Sequence, residues 1–119
     1  MDLRPKTIIC DIDGTLVKHN TPALNTSTIK GLELLPGTIE KLSEWDIKGY
    51  NIILITGRRE SMRETTKKQL ADLGIFYDTL LMGIGGGTRI LVNDKKPNGQ
   101  ETAFAICLER DKGIKDINI

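Results

Sequence analysis

Short, nearly unbroken aliphatic runs alternate with longer amphipathic stretches along this chain. The first run, Thr7 to Ile12, is the kind of strand that a parallel sheet buries on both faces. Tyr50 to Ile55 (Y-N-I-I-L-I) repeats the pattern, followed by shorter runs at Tyr77 to Met82 and Arg89 to Asn93. Between the first two, Pro36-Gly37-Thr38 opens a helix in which Ile39, Leu42 and Trp45 recur three apart, and Gly49 ends it. A second helix places Met62, Thr66, Leu70 and Leu73 on one face, with Gly74 as its cap. Residues 14 to 35 hold Asn20, Thr21, Pro22, Asn25, Thr26, Ser27 and Gly31, which suits a loop or small hairpin. Thr102 to Leu108 alternates weakly and reads as a last strand, with a helix as the alternative; the tail after Arg110 reads as a surface segment.

This order of elements predicts an α/β fold. It implies a single Rossmann-like domain over residues 1–119, with a mostly parallel sheet flanked by helices on both faces. A small flap follows the first strand, and the segment is too short for a cap domain. In such folds ligands lie beyond the carboxyl ends of the strands. Three polar signals fall at those ends: Asp11 with Asp13, Thr56 with Gly57, and Asp94.

Composition narrows the class further. A chain of 119 residues buries enough surface for one core without covalent staples, and that core must be aliphatic, since Trp45 is the sole tryptophan. The net charge of +1, with acids and bases interspersed, offers no basic stripe for nucleic acid and no polybasic membrane anchor. The polar start Met1-Asp2-Leu3-Arg4-Pro5-Lys6 is unlike a signal peptide, and no apolar run approaches a membrane span. Cys10 and Cys107 sit in apolar runs and read as buried, reduced thiols, so a cytoplasmic location is expected.

The chemistry concentrates in Ile8-Ile9-Cys10-Asp11-Ile12-Asp13-Gly14-Thr15-Leu16. Residues two apart in a strand share a side, so Asp11 and Asp13 face one another's field. Such a pair is stable only with a metal ion or with one carboxyl protonated. Asp-x-Asp-Gly-Thr after an apolar strand resembles the first motif of the haloacid dehalogenase-like phosphatases. I-I-L-I-T-G-R, ending at Thr56-Gly57-Arg58, is similar to their second motif, and Val92-Asn93-Asp94 to their fourth. Leu34 to Arg63 and Leu108 to Ile114 further resemble small capless members associated with bacterial polysaccharide and nucleotide-sugar biosynthesis.

The resemblance implies roles. Asp11 would be the nucleophile and Asp13 the acid and base. Thr56 would hydrogen-bond the transferring phosphoryl group, with Ile12, Gly57 and Arg58 as further phosphate contacts. A magnesium ion would be held by the Asp11 carboxylate, the Asp13 main-chain carbonyl and Asp94. Asn93 departs from the family's usual acid or glycine. The third-motif lysine is missing, because Leu81 to Thr88 contains none. Arg89, at the start of an expected strand, would lie roughly 13 Å from that strand's active end at ~3.3 Å per residue. Lys95 and Lys96, just past Asp94, are therefore the expected substitutes. Gly83 to Gly87 is no phosphate-binding P-loop, because no Lys-Ser/Thr follows it. Cys10 lacks the arginine that a cysteine-based phosphatase carries six residues on. His19 reads as a loop residue.

The expected function is magnesium-dependent hydrolysis of a phosphomonoester through an aspartyl-phosphate, on a phosphorylated sugar or related small metabolite. No nucleic-acid or membrane partner is expected, and a second subunit is a candidate lid. The alternative, motivated by the absent lysine, is a catalytically impaired relative that binds a phosphorylated ligand or protein. A signalling receiver is disfavoured, since Thr56 stands where its phospho-accepting aspartate belongs.

Overall fold

The computed structural model describes residues 3–19 and 32–119. Three parallel strands, β1 (Thr7–Asp11), β2 (Asn51–Ile55) and β3 (Thr79–Leu81), lie in the order β1-β2-β3. Asp11 stands beside Ile55, and Ile55 beside Leu81, so the three carboxyl ends form one level edge. Helix α1 (Thr38–Ile47) joins the first two strands. Helix α2 (Arg63–Asp72), entered through a 3-10 turn at Glu60–Met62, joins the second pair. This is the Rossmann-like parallel sheet flanked by helices that the apolar runs imply.

The two faces of the sheet are unequal. Leu42 and Trp45 of α1 and Leu70 of α2 join Cys10, Ile52, Leu54 and Leu80 in one buried cluster. Right-handed crossovers that step in one direction put both helices on the same face. On the other face Ile9 is 51% and Leu81 42% exposed. The expectation of helices on both faces is thus corrected: among the described residues that second face carries no helix.

The base of the flap is a short pairing. Lys18 donates its N–H to Glu33 (2.8 Å) and Leu35 to Leu16 (3.0 Å), while Thr38 Oγ1 reaches the Leu16 carbonyl at 2.6 Å. These bonds fasten the loop after β1 to the start of α1. The rest of the expected flap, residues 20–31, lies outside the described residues.

The tail is not a surface segment. Ile114 is 1% exposed, inside the core cluster, and its N–H donates to the Pro36 carbonyl at 3.0 Å. Gly113 makes this close approach possible: its φ is +87°, and a Cβ there would lie 2.4 Å from the Pro36 oxygen. Gly113→Ala should therefore destabilise the fold by about 2–4 kcal/mol, combining left-handed strain with a backbone clash. Thermal unfolding checks this, and a melting temperature within a degree of wild type would show that the tail does not dock as described.

The largest departure from expectation lies between β3 and that tail. Arg89 to Asn93 forms no strand, and neither does Thr102 to Leu108, nor a helix. Residues 86–108 instead form an extended arm. Ile90, Leu91 and Val92 are 83%, 62% and 88% exposed, against the expected burial of a fourth strand. Cys107 is likewise exposed, whereas Cys10 is buried as expected; both are free thiols.

Candidate active site

Asp11 ends β1, and the chain turns at once. The Ile12 carbonyl accepts N–H groups from Thr15, Leu16 and Val17 at 3.3, 2.9 and 3.2 Å, and Gly14, with φ +89°, donates to Val17 at 2.7 Å. Only a glycine takes that conformation without cost. The tight turn keeps Asp13 beside the strand ends rather than carrying it away.

Asp13 is gripped by Arg58. The guanidinium donates through Nε to one carboxylate oxygen (3.1 Å) and through an Nη to the other (2.8 Å), the paired geometry that fixes a carboxylate in a plane. The other Nη donates to Thr66 Oγ1 (3.1 Å) and Gln69 Oε1 (2.7 Å) on α2. Arg58 is thereby committed, with its side chain only 7% exposed. Where a phosphate contact is expected of it, the structure shows its guanidinium donating to Asp13, Thr66 and Gln69. The Arg58 signal was present in T-G-R, but nothing in the sequence pairs Arg58 with Asp13. Thr66, read as part of an apolar face, serves here through its hydroxyl.

Thr56 is buried at the end of β2, and its hydroxyl accepts the Arg58 N–H at 3.1 Å. The glycine loop folds over this turn. Gly83 N–H donates to the Arg58 carbonyl (2.7 Å), and Ile84 N–H to the Thr56 carbonyl (3.1 Å). A Cβ on Gly57 would come within 3.3 Å of Gly85, so the two backbones nearly touch.

Arg89 corrects the second expectation. Its guanidinium approaches the Asp11 carboxylate at 3.8 Å and donates to the Gly85 carbonyl at 2.9 Å. The distance argument against it presumed a strand that does not form. Lys95 instead pairs with Glu101 at 3.3 Å, out on the arm, and Lys96 lies beside it in the same turn. Among the described residues, the cation that pairs with Asp11 is Arg89.

Asp11 is half-buried, and that desolvation raises its pKa above the ordinary 3.8; Arg89 and the Ile12 N–H oppose the rise, Asp13 adds to it, and His19 opposes it. Burial, reinforced by Asp11, also pushes the Cys10 thiol up to about 12, so Cys10 stays protonated and no thiolate competes as nucleophile. His19, read from sequence as an incidental loop residue, is held close: its N–H donates to Asp111 Oδ1 at 2.7 Å, while the Asp111 N–H donates to the Gly14 carbonyl at 2.8 Å. No sequence signal marked Asp111.

Asp11, Asp13 and Asp94 do not converge in one chain. Among the described residues no three His, Cys, Asp or Glu side chains gather to hold an ion. The Asp94 carbonyl accepts the Thr102 hydroxyl, and Asn93 donates to the same hydroxyl at 2.7 Å, both on the arm. The residues of a single chain therefore do not fit the magnesium site expected from the motifs.

A paired acid at a parallel strand end and a buried threonine one strand over match the first two motifs of the haloacid dehalogenase-like phosphatases, and the chain is a member of that class. More narrowly, a family model described as the polynucleotide kinase PNKP phosphatase domain matches residues 5–89, and the chain belongs to that family. Among solved structures, a chain of a Pnkp1/Rnl/Hen1 complex is 38% identical with a TM-score of 0.58, over 72% of this chain and 30% of that one. A chain of the Pnkp1/Rnl/Hen1 RNA repair complex is 40% identical with a TM-score of 0.56, over 66% of this chain and 25% of its own. The chain thus spans less than a third of the length of these relatives. No curated protein sequence matches it. No helix among the described residues is long and apolar enough to cross a membrane.

Proposed function

We propose that this domain removes a terminal phosphate from a polynucleotide through an aspartyl-phosphate on Asp11. The observation that carries the proposal is the pairing of two acids with two different arginines. Asp13 is immobilised by Arg58, while Asp11 stays one-third exposed with Arg89 at 3.8 Å. One carboxylate is thus oriented for proton transfer and the other left accessible for attack.

An Asp11 oxygen bonds to phosphorus as the bond from phosphorus to the leaving hydroxyl oxygen breaks, and Asp13 supplies the proton to that oxygen. Water then attacks the aspartyl-phosphate, Asp13 takes its proton, and inorganic phosphate leaves with Asp11 regenerated. Asp13 enters the first step carrying the proton it gives up and ends the second carrying the proton it has taken from water, so the cycle closes. Arg89 and the Thr56 turn stabilise charge on the equatorial oxygens.

The substrate class rests on the family. The family model is described as a polynucleotide kinase phosphatase domain, and one of the two similar complexes is described as an RNA repair complex. Exposed cations also border the strand ends: Arg59 follows the clamp, Arg110 packs against Gly14, and Arg89 stands at Asp11. The balanced net charge does not show this local grouping. Phosphate release should be compared on oligonucleotides phosphorylated at the 3′ or 5′ end and on hexose phosphates. Faster release from a sugar phosphate would return the substrate to the small-metabolite class. Binding of a phosphorylated oligonucleotide with no release at all would instead support the non-catalytic alternative.

Arg89→Ala should lower kcat by about a hundredfold, the scale of losing one charge-stabilising donor at the transition state. Steady-state kinetics check this, and a change smaller than threefold would mean that Arg89 does not act on the phosphoryl group.

A further inference from the structure

The arm of residues 86–108 leaves the sheet at the catalytic edge and returns there. Gly83 and Ile84 are bonded to the backbone of Arg58 and Thr56, Arg89 anchors at Asp11, and Asp111 rejoins at Gly14. Between these points the two legs hold each other near the tip through Lys95 with Glu101 and the Lys96 N–H with the Gln100 carbonyl. Ile90, Leu91, Val92, Phe104, Ile106 and Leu108 are all exposed along it. Strand-forming apolar sequence is standing in water.

The same chain presents matching surfaces. β1 has β2 on one side, and among the described residues no strand lies along its other edge. Ile9 at mid-strand and Leu81 at the end of β3 face outward on the helix-free side. An unpaired edge with an apolar face is a template for another strand.

The arm cannot serve its own chain in the useful direction. A parallel connection within one sheet takes a dozen or more residues, usually through a helix. Once Gly83 and Ile84 are pinned at the top of the sheet, Gly85 to Thr88 remain. Those four residues span at most ~14 Å. That is too short to pass β2 and β1 and also descend the strand. Running downward from Arg89 along its own β1 would carry Asp94 to the end away from Asp11.

We propose that two copies of this chain exchange arms, each laying Arg89–Asp94 parallel to β1 of the other. The partner's Asp94 then arrives beside Asp11. This placement relies on the phosphatase reading for its active-site meaning. With the β1 strands side by side and oppositely directed, each arm starts near the foot of the other copy's β1 and ends at its catalytic edge. The return leg, with Phe104, Ile106 and Leu108, covers the helix-free face. Arm exchange of this kind is a low-cost route to a two-fold dimer. The Asp11 carboxylate, the Asp13 carbonyl and the partner's Asp94 then make the oxygen ligand set that suits magnesium and that a single chain lacks.

Three measurements on the full chain test the exchange. Light scattering should give about twice the chain mass of 13.2 kDa for the wild type. A variant carrying both Ile90→Asp and Val92→Asp should give the chain mass while staying folded by circular dichroism, because those side chains are exposed in the single chain. Magnesium titrated calorimetrically should bind the wild type and not the double variant. Finally, Asp11→Asn and Asp94→Asn copies, each expected to be inactive alone, should be co-expressed under different tags and their mixed dimers isolated. Each mixed dimer would own one intact site, so about half of wild-type turnover should return. A monomeric wild type overturns the exchange and leaves the arm to another kind of partner. Mixed dimers without restored turnover, beside an active wild type, overturn it equally. If the wild type releases no phosphate from any substrate, the phosphatase reading fails separately, and mass and magnesium binding still decide the exchange.

Discussion

Asp11→Asn should leave the fold intact and take phosphate release below detection, a loss of at least about 10⁴-fold. The amide has the size of the carboxylate but no charge, so it cannot form the acyl-phosphate that divides hydrolysis into two displacements. Folding should not suffer. Desolvation raises the Asp11 pKa above 3.8 in the folded chain, so between 3.8 and that raised value the native state holds more protons than the unfolded chain. The stability contribution is full at low pH and is lost as pH rises through that window. An uncharged amide at this position carries no such loss, so the variant should gain stability relative to wild type as pH climbs from about 4 to 7 in chelator. Wild-type turnover by the variant, measured on the best phosphorylated oligonucleotide, would remove Asp11 from the mechanism.

Arg58→Ala should be the next most damaging change. Asp13 would lose both hydrogen bonds that fix its plane, and Thr66 and Gln69 would lose their shared donor. Breaking a part-buried charge pair and stranding its neighbours costs about 2–3 kcal/mol in stability. A misdirected proton donor costs about 10²–10³-fold in rate. The leaving group separates these effects. Slowing should be greatest for an oligonucleotide hydroxyl and least for an aryl phosphate, whose leaving group needs little protonation. Arg58→Lys should recover part of the stability while keeping most of the kinetic defect, because an ammonium cannot grip both oxygens. Equal slowing across the leaving-group series would mean that the clamp supports the fold alone.

Much of this was legible in the sequence, for physical reasons that also explain the rest. β1, β2, α1 and α2 follow from apolar runs and helical spacing closed by glycines, all of them local signals. The Asp11–Asp13 pair and Thr56 are legible because their strands end where the apolar run ends. R-I-L-V-N has the composition of a strand, but composition does not say whose edge a strand will pair with. The pinning of Gly83 and Ile84 makes that decision, and backbone bonds leave no trace in residue type. Treating Arg89–Asn93 as a strand of its own sheet then put Arg89 far from Asp11 and Lys95 close. Ile114 was missed because a lone apolar residue among polar neighbours has no periodicity, although Gly113 beside it was the available hint. Local polarity likewise hides the Arg58–Asp13 clamp, since each residue alone fits a solvated turn.

Trapping the covalent intermediate tests the central claim most directly. Wild-type protein is mixed with a phosphorylated oligonucleotide, quenched in acid within the first turnover and digested for mass spectrometry. The peptide containing Asp11 should carry one phosphoryl group, and the same peptide from Asp11→Asn should carry none. Phosphate released in that single turnover from a protein whose Asp11 peptide stays unmodified throughout, or a phosphoryl group found on another residue, would contradict the mechanism.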